Sequence, residues 1–306
     1  MRRFFEWDIG SRKLELGPRT LIMGVVNVTP DSFSDGGRYF DRERAVDHAL
    51  HLLDEGADII DIGGESTRPG ATVTPAAGAA VGSRKTAVTE EEELRRAIPV
   101  IDGVKRAHPE AVISIDTYKA GVAKAAVEAG AEIVNDVSAF RWDTHMSETV
   151  GQLKCGVVLM HMRGRPEEWR TLPTTGDIVK VVSQELAIWS DDAMRAGVAR
   201  NRIALDPGFG FGKNFEENYP LLAGFEELHQ LGFPLLAGTS RKSFIGRTLQ
   251  RNGHDAPTDD RLFGTLATET ALVLKGAHII RTHEVRPARD AARVADAILA
   301  TANRPA

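Results

Sequence analysis

Glu55-Gly-Ala-Asp-Ile-Ile-Asp61, Ala129-Gly-Ala-Glu-Ile-Val-Asn-Asp136 and Lys275-Gly-Ala-His-Ile-Ile-Arg-Thr282 are near copies of one phrase. A helical pattern ends at glycine, a few residues pass, a short β-branched run follows, and a polar residue stands at its end. Glycine is favoured just past a helix, where the chain turns left-handed. Val- and Ile-rich runs without alternation read as strands buried on both faces, as parallel strands between helices are. Each phrase is therefore the joint between one βα unit and the next.

Outward from these three, the same pattern predicts strands over residues 21–26, 58–62, 112–116, 132–136, 157–161, 202–206, 234–239 and 278–282. Helical patterns lie between them, as at 44–55, 120–129, 178–196 and 265–275. This many βα repeats imply an α/β fold, a (β/α)8 TIM barrel, with a doubly wound sheet as the alternative. Residues 4–16 alternate around Gly10-Ser11 and predict a short N-terminal β-hairpin, within 1–20, ahead of the barrel. Residues 71–87 are rich in Ala, Gly, Thr and Ser without periodicity, so 71–89 reads as a mobile loop insertion. Thr89-Glu-Glu-Glu92 then reads as a capping box opening a helix. We take 1–306 as a single domain.

Composition narrows the function. A chain of 306 residues with 42% hydrophobic and 26% charged content can bury a large core. The net charge of −5 gives no general attraction to nucleic acid, so an anionic substrate needs a local cation cluster. One cysteine, Cys155, leaves no internal disulfide and fits a reducing compartment. The opening Met1–Asp8 segment lacks a signal peptide's apolar core, and no run approaches the length of a membrane span. A cytoplasmic protein without membrane or nucleic-acid partners is expected.

In a (β/α)8 barrel, polar residues at strand C-termini converge on one mouth. Asn27, Asp116, Asn135, Asp206, Lys242 and Arg281 hold such positions. A strand-end Asp also serves as N-cap of the next helix, and Asp116-Thr-Tyr-Lys119 fits that reading equally well. Carboxylates and an amide together suit a heterocycle with a guanidine-like edge. Arg68, Ser240-Arg-Lys242 and Arg281-Thr-His283 add cations, and barrels commonly bind phosphate at their last two βα units. The glycines of Asp206-Pro-Gly-Phe-Gly-Phe-Gly-Lys213 match neither common nucleotide fingerprint; they read as tight turns that let a flat ligand approach the backbone. Asn27–Gly37 reads as a surface loop or a lid. His48 and His51, three apart on a helix, read as surface residues.

At this point the chain closely resembles the dihydropteroate synthase family of pterin-binding enzymes. The matching segments are MGVVNVTPDSFSDGG (23–37), DIGGESTRPGA (61–71), SIDTYK (114–119), IVNDVS (133–138), LMHM (159–162), LDPGFGFGK (205–213), GTSRKSFIG (238–246) and IIRTHEV (279–285). The resemblance implies condensation of 6-hydroxymethyl-7,8-dihydropterin pyrophosphate with p-aminobenzoate, in folate biosynthesis. It implies a pterin grip from Asp116, Asn135, Asp206 and Lys242, with Val137, Met160 and Gly238 among the substrate-binding residues. Arg68, Arg281 and His283 would anchor pyrophosphate, and Asn27 would stand near Mg²⁺. Phe33, Thr67, Pro69, Phe211 and Ser240 would form the aminobenzoate pocket. Asp116, Asp206, Lys242, Arg281 and His283 are the catalytic candidates. A homodimer and sensitivity to sulfonamides are also implied. A methyltetrahydrofolate:corrinoid methyltransferase shares this fold and pterin pocket but has no use for the pyrophosphate cations. A non-catalytic pterin-binding homologue would have lost lid or anchor residues, and none is missing.

Overall fold

The computed structural model describes residues 2–28, 38–65 and 87–302. Strands β1 (Phe5–Asp8) and β2 (Lys13–Leu16) form the expected hairpin, with Phe5 opposite Leu16. Eight parallel strands follow: β3 (Leu21–Asn27), β4 (Ile59–Gly63), β5 (Val112–Asp116), β6 (Ile133–Asp136), β7 (Gly156–Met160), β8 (Ile203–Asp206), β9 (Leu236–Ala237) and β10 (Ile279–Thr282). They pair in the order β8-β7-β6-β5-β4-β3-β10-β9. A parallel bridge from Leu205 to Leu235 joins the two ends, making the (β/α)8 barrel that the repeated phrase implies.

The helices are α1 (Arg38–Asp54), α2 (Glu90–Ala107), α3 (Ala120–Glu128), α4 (Met146–Gln152), α5 (Ile178–Arg195), α6 (Phe215–Ala223), α7 (Ser243–Thr248), α8 (Leu262–Leu274) and α9 (Val285–Ala302). The three phrase glycines, Gly56, Gly130 and Gly276, have φ of +97°, +108° and +93°, where only glycine sits without strain. Thr89 caps α2, its hydroxyl accepting the Glu92 N–H. His51 is exposed, whereas His48 is half-buried. Residues 66–86, which hold most of the expected loop insertion, lie outside the described residues.

The expected strand at 234–239 is only two residues long. Pro234 has no N–H to give to a ladder, so its carbonyl alone contributes, accepting from Leu205 N at 2.9 Å.

Side-chain parity divides the barrel. Outward residues such as Ile60, Ile62, Ile113, Val134, Leu159, Leu205 and Ile280 pack against the helices. Inward residues change character along each strand. At the N-terminal end they are Met23, Ile59, Val112, Ile133, Ala204, Leu236 and Ile279, closed from below by Trp7, Ile9 and Leu16 of the hairpin segment. The Trp7 indole N–H donates to Arg202 O at 2.8 Å. Two residues further along the same strands stand Asp61, Ser114, Asn135, Asp206 and Arg281, all buried except the partly buried Arg281. An apolar floor therefore supports a polar ceiling, and the ceiling is where chemistry can occur.

Candidate active site

A cavity of about 230 Å³ opens at the strand C-termini. Twelve residues singled out from the sequence line it: Asn27, Asp116, Asn135, Val137, Met160, Asp206, Phe211, Gly238, Ser240, Lys242, Arg281 and His283. The other four, Phe33, Thr67, Arg68 and Pro69, lie outside the described residues.

The centre of the site is an ion network. Arg281 donates through Nε to Asp61 Oδ2 at 2.6 Å and through Nη2 to Asp116 Oδ2 at 2.7 Å. Asn135 Nδ2 donates to the same Asp61 oxygen at 3.1 Å. Asp116 is thus committed to the barrel interior. The cap reading fails, because the N-cap of α3 is Lys119, which makes no side-chain cap. Burial works against the charge of Arg281, but Asp61 and Asp116 more than offset it and hold its pKa above the ordinary value. Burial pushes Asp116 up to about 7 despite Arg281. Asp61 stands out in the sequence as the polar residue that ends the repeated phrase, but it was given no role in the site. Its signal was there: an Asp sharing inward parity with Ile59 inside a fully buried strand must have a partner.

Asp206 ends β8 and accepts the Gly208 N–H at 2.7 Å. Burial pushes its carboxyl up to about 6, against that hydrogen bond and the charges of Lys242, Arg281 and Lys213. The glycine loop is built for packing more than for ligand approach. A Cβ on Gly208 would lie 1.9 Å from His161 O, and one on Gly212 would lie 2.1 Å from Arg163 O. Lys213 fastens the loop from within, donating to the carbonyls of His161, Gly208 and Phe211 at 3.1, 2.8 and 3.2 Å. Three acceptors match the three donors of an ammonium. Burial nevertheless pulls Lys213 down to about 7, with Asp206 acting in the opposite sense.

The cations gather on the far wall. Lys242 Nζ lies 3.8 Å over the Phe211 ring. Ser240 Oγ accepts the His283 backbone N–H at 3.1 Å and sits 3.0 Å from His283 Nδ1. When the hydroxyl gives its proton to Nδ1, the neutral ring carries its own proton on Nε2, a donor suited to an anion. Arg241 and Arg261 also line this wall. Both are engaged structurally, Arg241 Nε with Glu284 at 2.7 Å and Arg261 with the carbonyls of Ala256 and Arg241 at 2.8 Å each. At the root of the loop after β4, Lys119 binds Glu65 at 2.5 Å and also contacts Glu93, all three buried.

A polar barrel mouth that joins carboxylates and an amide to a cation wall defines a binding site for a flat heterocycle bearing an anionic group. The chain belongs to the pterin binding enzyme family, whose profile matches residues 23–283. Among the members it is similar to dihydropteroate synthases. The one from Clostridium beijerinckii is 40% identical, over 95% of this chain and 98% of that one. The Xanthomonas albilineans dihydropteroate synthase solved with 4-aminobenzoic acid superposes with a TM-score of 0.85 at 41% identity, covering 99% of this chain and 100% of that one. The same enzyme in complex with 7,8-dihydropteroate gives 0.78 at 39% identity, over 95% and 97% of the two chains.

Proposed function

We propose that this protein is a dihydropteroate synthase, joining 6-hydroxymethyl-7,8-dihydropterin pyrophosphate to p-aminobenzoate with release of pyrophosphate. The observation that carries this reading is the pairing of Asp206 and Asn135 in the barrel with Lys242, Ser240 and His283 on one cavity wall. Asp206 offers acceptors to the N–H-rich pterin edge, and Asn135 offers a donor and an acceptor. On this reading Lys242 belongs with Asp206 in the pterin grip, and Arg281 and the His283 ring offer their donors to the diphosphate. Among the described residues the carboxylates and imidazole of the lining have other work in this reading, and none is assigned to the weakly basic aniline nitrogen, so a dissociative path fits. The C–O bond breaks first, pyrophosphate departs with the electron pair, and the ring delocalises the cation. The aniline nitrogen then forms the new C–N bond with its lone pair and gives up one proton to water. The nearby carboxylates of Asp206 and Asp116 favour the developing positive charge, and the cation wall favours the leaving group.

Mg²⁺ fits the donors present. Among the described residues no three His, Cys, Asp or Glu side chains gather to hold a metal. Mg²⁺ seldom needs such a cage, being held by one or two protein oxygens, water and substrate phosphates. Asn27, at the end of β3 on the cavity rim, can supply one amide oxygen. When bound, the ion would offset charge on the departing pyrophosphate.

A methyltetrahydrofolate-dependent methyltransferase would leave the Ser240–His283 pair without work. The implied homodimer would find the exposed apolar side chains Phe263, Val294 and Ile298 on α8 and α9. Among the described residues no helix is long and apolar enough to cross a membrane, and the cytoplasm is the expected site of action. The deciding experiment mixes purified protein with the pterin pyrophosphate and p-aminobenzoate and looks for dihydropteroate by mass. No product, with both substrates bound by calorimetry, would leave a non-catalytic pterin binder.

A further inference from the structure

Behind the cavity wall lies an aromatic layer formed by Tyr118, Val137, Met160, Met162 and Trp169, with Phe211 packed against it. Val137, Met160 and Phe211 face the cavity, and Trp169 stands behind them, 7% exposed. Its ring meets Phe211 edge-on, with centroids 5.6 Å apart and planes at 89°. Phe211 in turn carries the Lys242 ammonium 3.8 Å above its ring centroid. Indole, phenyl and ammonium thus form a stack running from the loop after β7 to the cation wall.

We propose that Trp169 is a positioning residue: it holds the Phe211 ring at the angle that serves both Lys242 and the ring of the aminobenzoate. The inference rests on the reading of Phe211 as part of the aminobenzoate wall. The backbone on either side is already fastened. Arg163 Nη1 binds Glu217 at 3.1 Å and Gly212 O at 3.4 Å, and Asn214 Nδ2 donates to Leu172 O at 3.3 Å. Those bonds fix where the Phe211 main chain lies but not how its ring turns. A phenyl ring is set by what touches its edge and face, and edge-to-face contact is the geometry the ring quadrupoles favour. With Trp169 removed, the ring gains room to rotate away from Lys242, and the cation–π contact weakens. The Trp169 indole N–H is buried and has no hydrogen-bond partner among the described residues. Packing alone therefore holds Trp169, so phenylalanine in its place forfeits no hydrogen bond.

The test compares steady-state kinetics of Trp169→Ala, Trp169→Phe and Phe211→Ala, each checked for an intact melting transition. Trp169→Ala should raise the aminobenzoate KM several-fold, up to about tenfold, the scale of one aromatic edge contact. The pterin pyrophosphate KM should rise by less, since Lys242 keeps its charge when its contact with Phe211 weakens, kcat should hardly move, and Trp169→Phe should restore most of the loss. The double variant should be no worse than Phe211→Ala, because both act through one ring. If Phe211→Ala leaves the aminobenzoate KM unchanged, the reading of that wall falls, and the inference with it. If Phe211→Ala raises it and Trp169→Ala does not, the brace alone is overturned. Equal losses for both substrates would show general collapse of the loop and also overturn it. Should Trp169→Ala fail to fold, Trp169→Leu carries the same comparison.

Discussion

Arg281 and Asp61, 220 positions apart in the chain, meet inside the barrel with Nε 2.6 Å from Oδ2. Their strands β10 and β4 lie on either side of β3, so the pair reaches across one strand near the seam where the barrel's first and last strands meet. Asp61 is fully buried and also accepts from Asn135. Asp61→Ala would leave the partly buried guanidinium with Asp116 as its remaining hydrogen-bonded counter-ion, and breaking one side of a buried pair costs about 3–5 kcal/mol. Urea denaturation should show that loss, together with loss of pterin binding. A stability change within the usual scatter of surface substitutions would mean the pair is not structural.

Pterin affinity should depend on pH with a definite sign. Burial holds Asp206 at about 6 and Asp116 at about 7. A ligand that needs the carboxylate must displace a proton below those values. Affinity should therefore rise as pH climbs through 6 and 7, then level off. Asp206→Asn should remove most of the affinity at neutral pH, leaving a mismatched buried pair worth about 1–3 kcal/mol, and should differ less from the wild type below about 6, where Asp206 already holds a proton. Calorimetric titrations from acid to neutral pH check both statements, and a flat profile would count against the assignment.

Arg281→Ala should weaken the pyrophosphate substrate more than the free pterin alcohol. Equal losses would place its role wholly in the pterin grip, through Asp116. Arg281→Lys should not rescue, because a single ammonium cannot copy the planar fork that spans Asp61 and Asp116.

Glu269 on α8 is 2% exposed, and neither carboxyl oxygen has a geometrically sound hydrogen bond. Burial lifts it from 4.5 to about 8, with Thr282 acting in the opposite sense. Below the ordinary carboxyl value both folded and unfolded chains hold the proton. As pH rises from there toward 8, the unfolded chain releases a proton that the native one keeps, so stability falls across that window. The slope approaches on the order of 1.4 kcal/mol per pH unit. Glu269→Gln should flatten it in a series of chemical denaturations, and an unchanged pH profile would show that Glu269 is ionised in the native state.

Sulfonamides should inhibit competitively with aminobenzoate, since their aniline ring copies the substrate's. Phe211 and Ser240 line the described part of that wall. An inhibition constant far weaker than the aminobenzoate KM would point to residues 71–89 as the cause.

The barrel and its mouth were legible in the sequence because both follow from short-range periodicities. Glycine closing a helix and a polar residue ending a strand repeat within about ten residues, as in 55–61 and 275–282. The twelve described candidates line one cavity for that reason. The role of Asp61, and Trp169 altogether, were missed because their partners are distant in sequence. Nothing local ties Asp61 to Arg281, or Trp169 to the ring at 211. The inward turn of Arg281 was also illegible, since a strand-end arginine can serve either the mouth or the interior. The glycines at 208 and 212 were read as tight turns that let a flat ligand approach; their φ of +66° fits the turns, but the backbone of the neighbouring strand's exit occupies the space their missing side chains leave.

The hairpin segment has a consequence for traffic. Trp7, Ile9 and Leu16, each at most 1% exposed, stop the lower end of the barrel. The chamber above is a blind alley: whatever enters must back out past the same rim. Two molecules come in and two go out, so whatever sits nearest the rim blocks the way. A fragment held deepest, against Asn135 and Asp206, would be first in and last out, and departure would become a queue whose order the architecture dictates.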